Sequence, residues 1–218
     1  MDSLQKKIAI FGASGQGREV ADLCAEKGYS TIIFLVNNEK ETSIWTNEVF
    51  LDTAEKVNEL HEEGYHFAIG IGAPHIRKKV VGKYPHLTYP NIIHPSATFG
   101  LYQEEAIQKS QGNIIQAGVR FTNNISCGSF CLFNLNATVA HDVIIGDYVS
   151  VMADVNVSGN VHIMENVYLG VNASILHGDN ESKMLVDTGS VVGAGAVVTK
   201  DVAAGTTVVG IPAKPISR

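Results

Sequence analysis

The sequence is poor in charge and in aromatic rings: 17% of its residues are Asp, Glu, Lys or Arg and 7% are Phe, Trp or Tyr, where an average globular domain carries roughly 25% charged residues. With 45% hydrophobic residues over 218 positions it has enough apolar surface for one large core or two modest ones, and disorder is excluded. No apolar run approaches the roughly 18 residues of a spanning helix. Met1-Asp2-Ser3-Leu4-Gln5 has no basic stretch leading into an apolar one, so no signal peptide is expected and a cytoplasmic protein without membrane insertion is. Net positive charge is also absent. A formal charge of -6 weighs against nucleic acid as a partner while leaving room for a local phosphate pocket. Cysteine is scarce: Cys24, Cys127 and Cys131 are an odd set without metal-ligand spacing and read as reduced core residues.

What is present is glycine, 21 residues, beside runs rich in Val and Ile, which favours strands and tight turns over a helical bundle. The first 85 or so residues alternate strand and helix patterns. Lys6 to Phe11 reads as a strand, Gly12-Ala13-Ser14-Gly15-Gln16-Gly17 as a turn, and Val20, Leu23 and Cys24 as the apolar stripe of a helix ending near Gly28. Thr31 to Val36 is a second strand, followed by a looser stretch to Phe50. Asp52-Thr53-Ala54-Glu55 has the form of a capping box, Phe67 to Ile71 is a third strand, and Pro74 opens a helix through Arg77 and Val80 to Tyr84. This is a small Rossmann-like α/β unit, too short for a full six-stranded dinucleotide fold. Its Gly-x-x-Gly-x-Gly turn is a weak signal alone, and Asn37 and Asn38 stand where a dehydrogenase has a ribose-binding acid, which weighs against an NAD enzyme.

From Ile115 a strict six-residue period takes over. Ile115, Phe121, Cys127, Phe133, Val139, Ile145, Val151, Val157, Ile163, Leu169 and Ile175 are all apolar. A second small or apolar column follows four residues later, from Val119 to Ala173, and is broken at Asp179. Two inward positions per six residues fit a short strand and a corner, three of which close a triangular solenoid coil. Glycine follows the inward residue at Gly128, Gly146, Gly170 and Gly193. The register slips around His177 to Leu185, an expected outward loop, resumes at Val186, Val192 and Val198, and slips again before Val209. A partial first coil is expected at Ile93 to Ala97, with an interruption through Gln111. The boundary between the two units is placed at residues 90 and 91.

With 18 residues per coil, residues 18 apart stack at roughly 4.8 Å. Asn123, His141, Gly159 and His177 then form one column, with an imidazole beside a glycine amide: a general base next to an oxyanion donor, as acyl transfer requires. A nearly flat solenoid face makes a cleft most readily against a neighbouring chain, so a homotrimer is expected.

The hexapeptide array, His141-Asp142-Val143-Ile144-Ile145-Gly146-Asp147, Ser158-Gly159-Asn160-Val161, Val192-Gly193-Ala194-Gly195-Ala196 and the closing Val209-Gly210-Ile211-Pro212-Ala213-Lys214 resemble the left-handed β-helix acyltransferases. With the glycine-rich turn in front, nearly the whole chain resembles the bacterial sugar acyltransferases of NeuD/PglD type. The resemblance implies an α/β nucleotide-sugar-binding unit (1–90) and an all-β left-handed parallel β-helix (91–218), with acetyl-CoA and a nucleotide-linked amino sugar as partners. It implies that His141 is the general base, Asp142 its support and the Gly159 amide the oxyanion donor, and that no acetyl-enzyme forms. Ser150, Gly170, Val171, Gly193, Ala194 and Lys214 fall at the acetyl-CoA side, with Ser150 where some relatives carry a second histidine. Gly12, Ser14, Gly15, Gln16, Gly17, Asn37 and Arg77 fall at the nucleotide-sugar side. Gln16 replaces a histidine, and Asn37 and Asn38 an aspartate pair, of some relatives, leaving base and sugar open.

Other readings are an O-acetyltransferase of a sialic-acid-like sugar, a catalytically silent nucleotide-sugar-binding protein, and a metal hydratase using His141 and His177. Against the last, those two histidines lie two coils apart, roughly 9–10 Å by the strand spacing, and no third histidine follows His177 closely. His94, His162 and His177 read as solvated or structural.

Overall fold

The computed structural model describes residues 6–38 and 47–216. Met1 to Gln5, and 39–46 of the loose stretch, lie outside the described residues. The N-terminal unit runs β1 (Lys6–Phe11), α1 (Gly15–Glu26), β2 (Tyr29–Val36), β3 (Val49–Leu51), α2 (Ala54–Glu62), β4 (His66–Ile69) and α3 (Pro74–Lys83). Its strands form a parallel sheet in the order β3-β2-β1-β4. Strand β4 ends at Ile69 rather than Ile71 because its partner β1 ends there, with Phe11 opposite Ile69. Strand β3 is not announced by the sequence: three half-buried residues make a short edge that only pairing with Phe34 to Val36 holds extended.

The capping box expected over Asp52 to Glu55 is not formed. Thr53 is the N-cap and its hydroxyl accepts from the Lys56 amide at 3.2 Å, so a lysine occupies the position from which an acid would bond back. Asp52 is drawn away, its amide donating to the Val36 carbonyl at 2.8 Å and its carboxylate 3.6 Å from Lys83 Nζ.

From Ile92 the chain winds into a three-sided parallel coil. The first face stacks Ile92–Ile93, Ile114–Ile115, Leu132–Phe133, Ser150–Val151, Tyr168–Leu169, Val191–Val192 and Thr207–Val209. The second stacks Thr98–Phe99, Arg120–Phe121, Thr138–Val139, Asn156–Val157, Ser174–Ile175 and Val197–Val198; the third Ser126–Cys127, Ile144–Ile145, Val161–Ile163 and Met184–Val186. Leu132 lies opposite Ser150, Thr138 opposite Asn156 and Ile144 opposite His162, an offset of 18 residues on every side. Both inward columns are buried in one continuous core, except that Cys127 is half-buried at its edge.

The slips also have a structural form. Ile163 pairs with Val186 and Leu169 with Val192, so residues 176–183 pass outside the coil as a loop. In the last turn Val192 pairs with Val208, which is buried, and Val209 faces outward, one residue off the expected slip. The early interruption holds α4 (Gln103–Ile107), whose Gln103 side chain donates to the Ile125 carbonyl at 2.7 Å and accepts from its amide at 2.9 Å, capping the third side.

The corners carry a third six-residue column that the inward pattern conceals. Asn124, Phe130, Asn136, Asp142, Tyr148, Asp154, Asn160, Asn166 and Asn172 all have φ between 52° and 60°. Asn and Asp tolerate this left-handed region and bulky side chains do not, so Phe130 and Tyr148 need another reason. They stack at 5.4 Å between ring centroids, with Tyr89 edge-on to Phe130, and form the corner on which the α/β unit rests.

Contact with that unit covers the first face. Outward Ile92, Ile114 and Leu132 share a core with Val20, Leu23 and Cys24 of α1. Arg77 of α3 locks the other side. Only 2% exposed, it donates to the carbonyls of Phe130 (2.9 Å), Ile71 (3.0 Å), Gly72 (3.0 Å), Tyr148 (2.8 Å) and Val149 (3.0 Å) and to the Ser150 hydroxyl (2.9 Å). Burial lowers its pKa to about 10, which leaves it charged at neutral pH. The expected substrate role of Arg77 is therefore corrected: every donor of the guanidinium is committed inside the protein. Replacing it with methionine strands several buried acceptors at about 1–3 kcal/mol each. Arg77→Met is expected to lower the urea midpoint by an amount equivalent to roughly 3 kcal/mol or more, while nucleotide affinity of the folded protein stays unchanged.

Candidate active site

His141 sits at the corner where the second face, ending at Val139, turns into the third, beginning at Ile144. Val139 and Val143 are buried on either side, so the residues between them are pushed outward, and the His141 side chain is 56% exposed. Asp142 takes the left-handed conformation that makes the turn (φ 60°). This brings its carboxylate back onto the ring it follows: His141 Nδ1 lies 2.7 Å from Asp142 Oδ2. An ionised carboxylate only accepts, so it selects the tautomer with hydrogen on Nδ1 and leaves the lone pair on Nε2. The other carboxylate oxygen accepts from Asn124 Nδ2, one coil away. The hydrogen bonds from Asn124 and then from His141 hold the Asp142 carboxyl below the ordinary carboxylate range.

The imidazole lies across Gly159. A Cβ on that residue would come within 2.6 Å of His141 Cε1 and 2.8 Å of Nε2, so the ring occupies the space a side chain would fill. The expected column is thus formed, with Asn160 N donating to the His141 carbonyl at 3.1 Å and Gly178 N to that of Gly159 at 3.2 Å. The Gly159 N–H has no acceptor among the described residues. A free ring nitrogen and a free amide share one edge. On the Asp142 side of this corner is a cavity of about 570 Å³ lined by Asn124, Asp142, Ile144, Tyr102 and Lys183, without His141 or Gly159 in its wall. His177 opens instead onto a neighbouring cavity with Asp179, Lys183 and Asp201.

The glycine-rich turn lies at the other end of the molecule's chemistry. Gly12 has φ 96°, and a Cβ on Gly17 would strike the Gly12 carbonyl oxygen at 2.0 Å, so the turn folds only with these two residues. Gly15 faces open space. Ser14 is the N-cap of α1 without making a side-chain cap bond, and no acid lies in the helix's first turn. Ser14 lines a cavity of about 260 Å³ with Gly12, Asn37, Asp52, Ile71 and Val80. Asp52, just after β3, places a carboxylate at this cavity where the end of β2 has none; the sequence marks it only as a helix cap, because β3 carries no pattern of its own. Gln16 turns away from this cavity, its Oε1 accepting from Asn134 Nδ2 at 3.0 Å.

Of the residues placed on the acetyl-CoA side, Gly170, Val171, Gly193 and Ala194 stack at the corner between the first and second faces, with Val171 45% exposed. Lys214 lies exposed on the closing strand, beside a separate cavity of about 350 Å³. Ser150 is corrected. Fully buried on the first face, it accepts from Arg77 and donates to the Gly72 carbonyl at 2.7 Å, so it has no surface to offer a cofactor. Among the described residues no cluster of three or more His, Cys, Asp or Glu could hold a metal ion, and no helix is long and apolar enough to cross a membrane.

Residues 7–84 match the PglD N-terminal domain family. The chain is 36% identical over 127 residues to GDP-perosamine N-acetyltransferase of Escherichia coli O157:H7, covering 58% of this chain and 56% of that enzyme. The curated relatives are thus matched over little more than half of their length or less. Among solved structures, the acetyltransferase domain of PglB from Neisseria gonorrhoeae FA1090 superposes with a TM-score of 0.84 at 28% identity, covering 97% of this chain and 100% of that one. It has also been solved in complex with acetyl coenzyme A (29% identity, TM-score 0.83, 97% and 100% covered). WeeI from Acinetobacter baumannii AYE superposes with a TM-score of 0.83 at 27% identity, covering 97% and 100%. A parallel α/β unit that matches the PglD N-terminal domain, packed on a coil of hexapeptide repeats, makes this chain similar over almost its whole length to the acetyltransferase domain of PglB.

Proposed function

We propose that the protein transfers the acetyl group of acetyl-CoA to the amino group of a nucleotide-linked sugar. The single observation that carries this reading is the shared edge: a ring nitrogen freed by the Asp142 contact, directly over a glycine whose amide has no acceptor among the described residues. In the reaction the sugar amine attacks the thioester carbonyl while Nε2 of His141 takes its proton. The Gly159 amide donates to the oxyanion, the C–S bond breaks, and the proton passes to the departing thiolate. The thioester is already activated, so no acetyl-enzyme is needed. Relatives named as a GDP-perosamine N-acetyltransferase and as an acetyltransferase domain bound to acetyl coenzyme A support the two substrate classes. The turn from Gly12 to Gly17 takes the nucleotide phosphates at the free end of α1, with Ser14, Asn37 and Asp52 around the nucleoside.

The same reading makes the protein a homotrimer, with residues 1–90 binding the nucleotide sugar and 91–218 acetyl-CoA. The α/β unit covers the first face and the start of α1 touches the first corner at Asn134, whereas His141 stands at the next corner, across the second face. Val171 also stands at the first corner. Packing a neighbour's first corner against this chain's His141 unites pantetheine, sugar and base in a cleft that one chain lacks. Light scattering with activity across a dilution series is expected to give a trimer, with turnover lost on dissociation.

Thiol release from acetyl-CoA is expected with one or more of GDP-, UDP- and dTDP-linked amino sugars, and His141→Asn is expected to lose on the order of 10²–10⁴-fold in kcat. Release with sialic acids and with none of the nucleotide sugars overturns the N-acetyl assignment. Gly159→Ala separates geometry from stability. The added methyl displaces an exposed ring, which costs about 0.5 kcal/mol or less in unfolding free energy, yet it removes the ring from its place over the amide. Turnover is expected to fall on the order of 10²-fold at nearly unchanged Tm.

A further inference from the structure

We infer that Asn124 is a positioning residue of the acyl-transfer site, acting through Asp142 on the tautomer and aim of the His141 ring. The inference rests on the reading of His141 as the base, and its geometric basis is the contact between two coils. Asn124 and Asp142 occupy the same left-handed corner column 18 residues apart, with φ 52° and 60°. Asn124 Nδ2 donates to Asp142 Oδ1, and Oδ2 of the same carboxylate faces His141 Nδ1 at 2.7 Å. A carboxylate bonded through one oxygen alone rotates about its Cβ–Cγ bond. Bonded through both, it is a rigid plane that fixes the ring.

The conformational demand of the corner does not account for this contact. Asn136, Asp154, Asn160, Asn166 and Asn172 meet the same demand, and no side chain among them hydrogen-bonds to another coil's corner residue in the described structure. The pairing is particular to the coil below His141. Lys183 completes the surround, its Nζ donating to the Asp142 main-chain carbonyl at 2.5 Å from the outward loop. The titratable groups facing the carboxylate are therefore His141 on its own corner and Lys183 from the loop, with Tyr102 across the cavity from the segment before α4.

Two substitutions keep the backbone and change the chemistry. Asn124→Gly suits a positive φ and deletes the donor. Asn124→Asp also tolerates this conformation but sets a second carboxylate against the first, which raises the Asp142 pKa. For a group whose folded pKa lies below its ordinary value, ionisation persists to lower pH; raising that pKa moves the acid limb of kcat/KM upward. With the full-length protein and acetyl-CoA, Asn124→Gly is expected to lower kcat about tenfold with KM for the nucleotide sugar unchanged, by analogy with lost partners of metal-ligating imidazoles. Asn124→Asp is expected to move the acid limb up by about one pH unit.

Long-range ¹H–¹⁵N spectra of the substrate-free protein, with His141 assigned through His141→Asn, supply a readout independent of turnover. The wild type is expected to show the Nδ1–H tautomer and Asn124→Gly a mixture. Unchanged tautomer and pH profile in both variants overturns the inference, including the case in which activity falls with stability alone. If the wild type transfers no acetyl group, the proposed activity fails while the tautomer measurement still decides the role of Asn124.

Discussion

Each coil is held to the next by main-chain hydrogen bonds repeated at an offset of 18 residues, as where Leu132 N meets the Val149 carbonyl at 2.9 Å and Ser150 N that of Val167 at 2.9 Å. Everything chemical in the molecule depends on this constraint. Because the backbone groups of two-residue strands are satisfied from above and below, the side chains between them are free to be chosen column by column. One column packs the core, one makes the corners turn, and one faces outward. A solenoid converts position modulo six into depth, so a reactive residue is placed by counting rather than by a long-range fold. His141 and Gly159 meet because they are one coil apart, and their closeness is exact only because Gly159 has no side chain to hold the ring away.

The same arithmetic explains which parts of the architecture were legible in the sequence. The inward columns, the outward loop and the stacking of His141 on Gly159 were readable because coil geometry is local and periodic. Strand β3 and the place of Asp52 at the cavity beside it were not, since three half-buried edge residues carry no period and owe their conformation to pairing with β2. The displaced cap of α2 has a similar origin: Asp52 is a good cap locally, but Val36 and Lys83 claim it. The corner column of Asn and Asp was present in the sequence at the same six-residue spacing. An apolar count ignores polar residues, so neither that column nor Asn124 shows in it.

Arg77 and Ser150 show where a family resemblance misleads. Both lie at positions assigned to ligands, yet they bond each other in the layer between α3 and the first face, far from solvent. An arginine without an acidic partner is expensive to bury, and the expense is met by carbonyls at the aromatic corner, where Phe130 and Tyr148 adopt a conformation that leaves their oxygens aimed at the guanidinium. This helix-to-corner lock makes the α/β unit a rigid attachment to the coil rather than a module on a tether.

Rigidity on that side bears on the division of labour between corners. In the proposed reaction, an α/β unit free to swing would carry its own sugar to its own His141. Clamped by Arg77 at one edge of the first face and joined through Gln16 to Asn134 at the other, it is fixed facing the first corner. His141 stands beyond the width of the second face. On the proposed function, an attachment that cannot move and a base on another corner call for a neighbouring chain, and the flatness of the sides is what would let that neighbour approach closely enough for the amine, the thioester and the imidazole to meet.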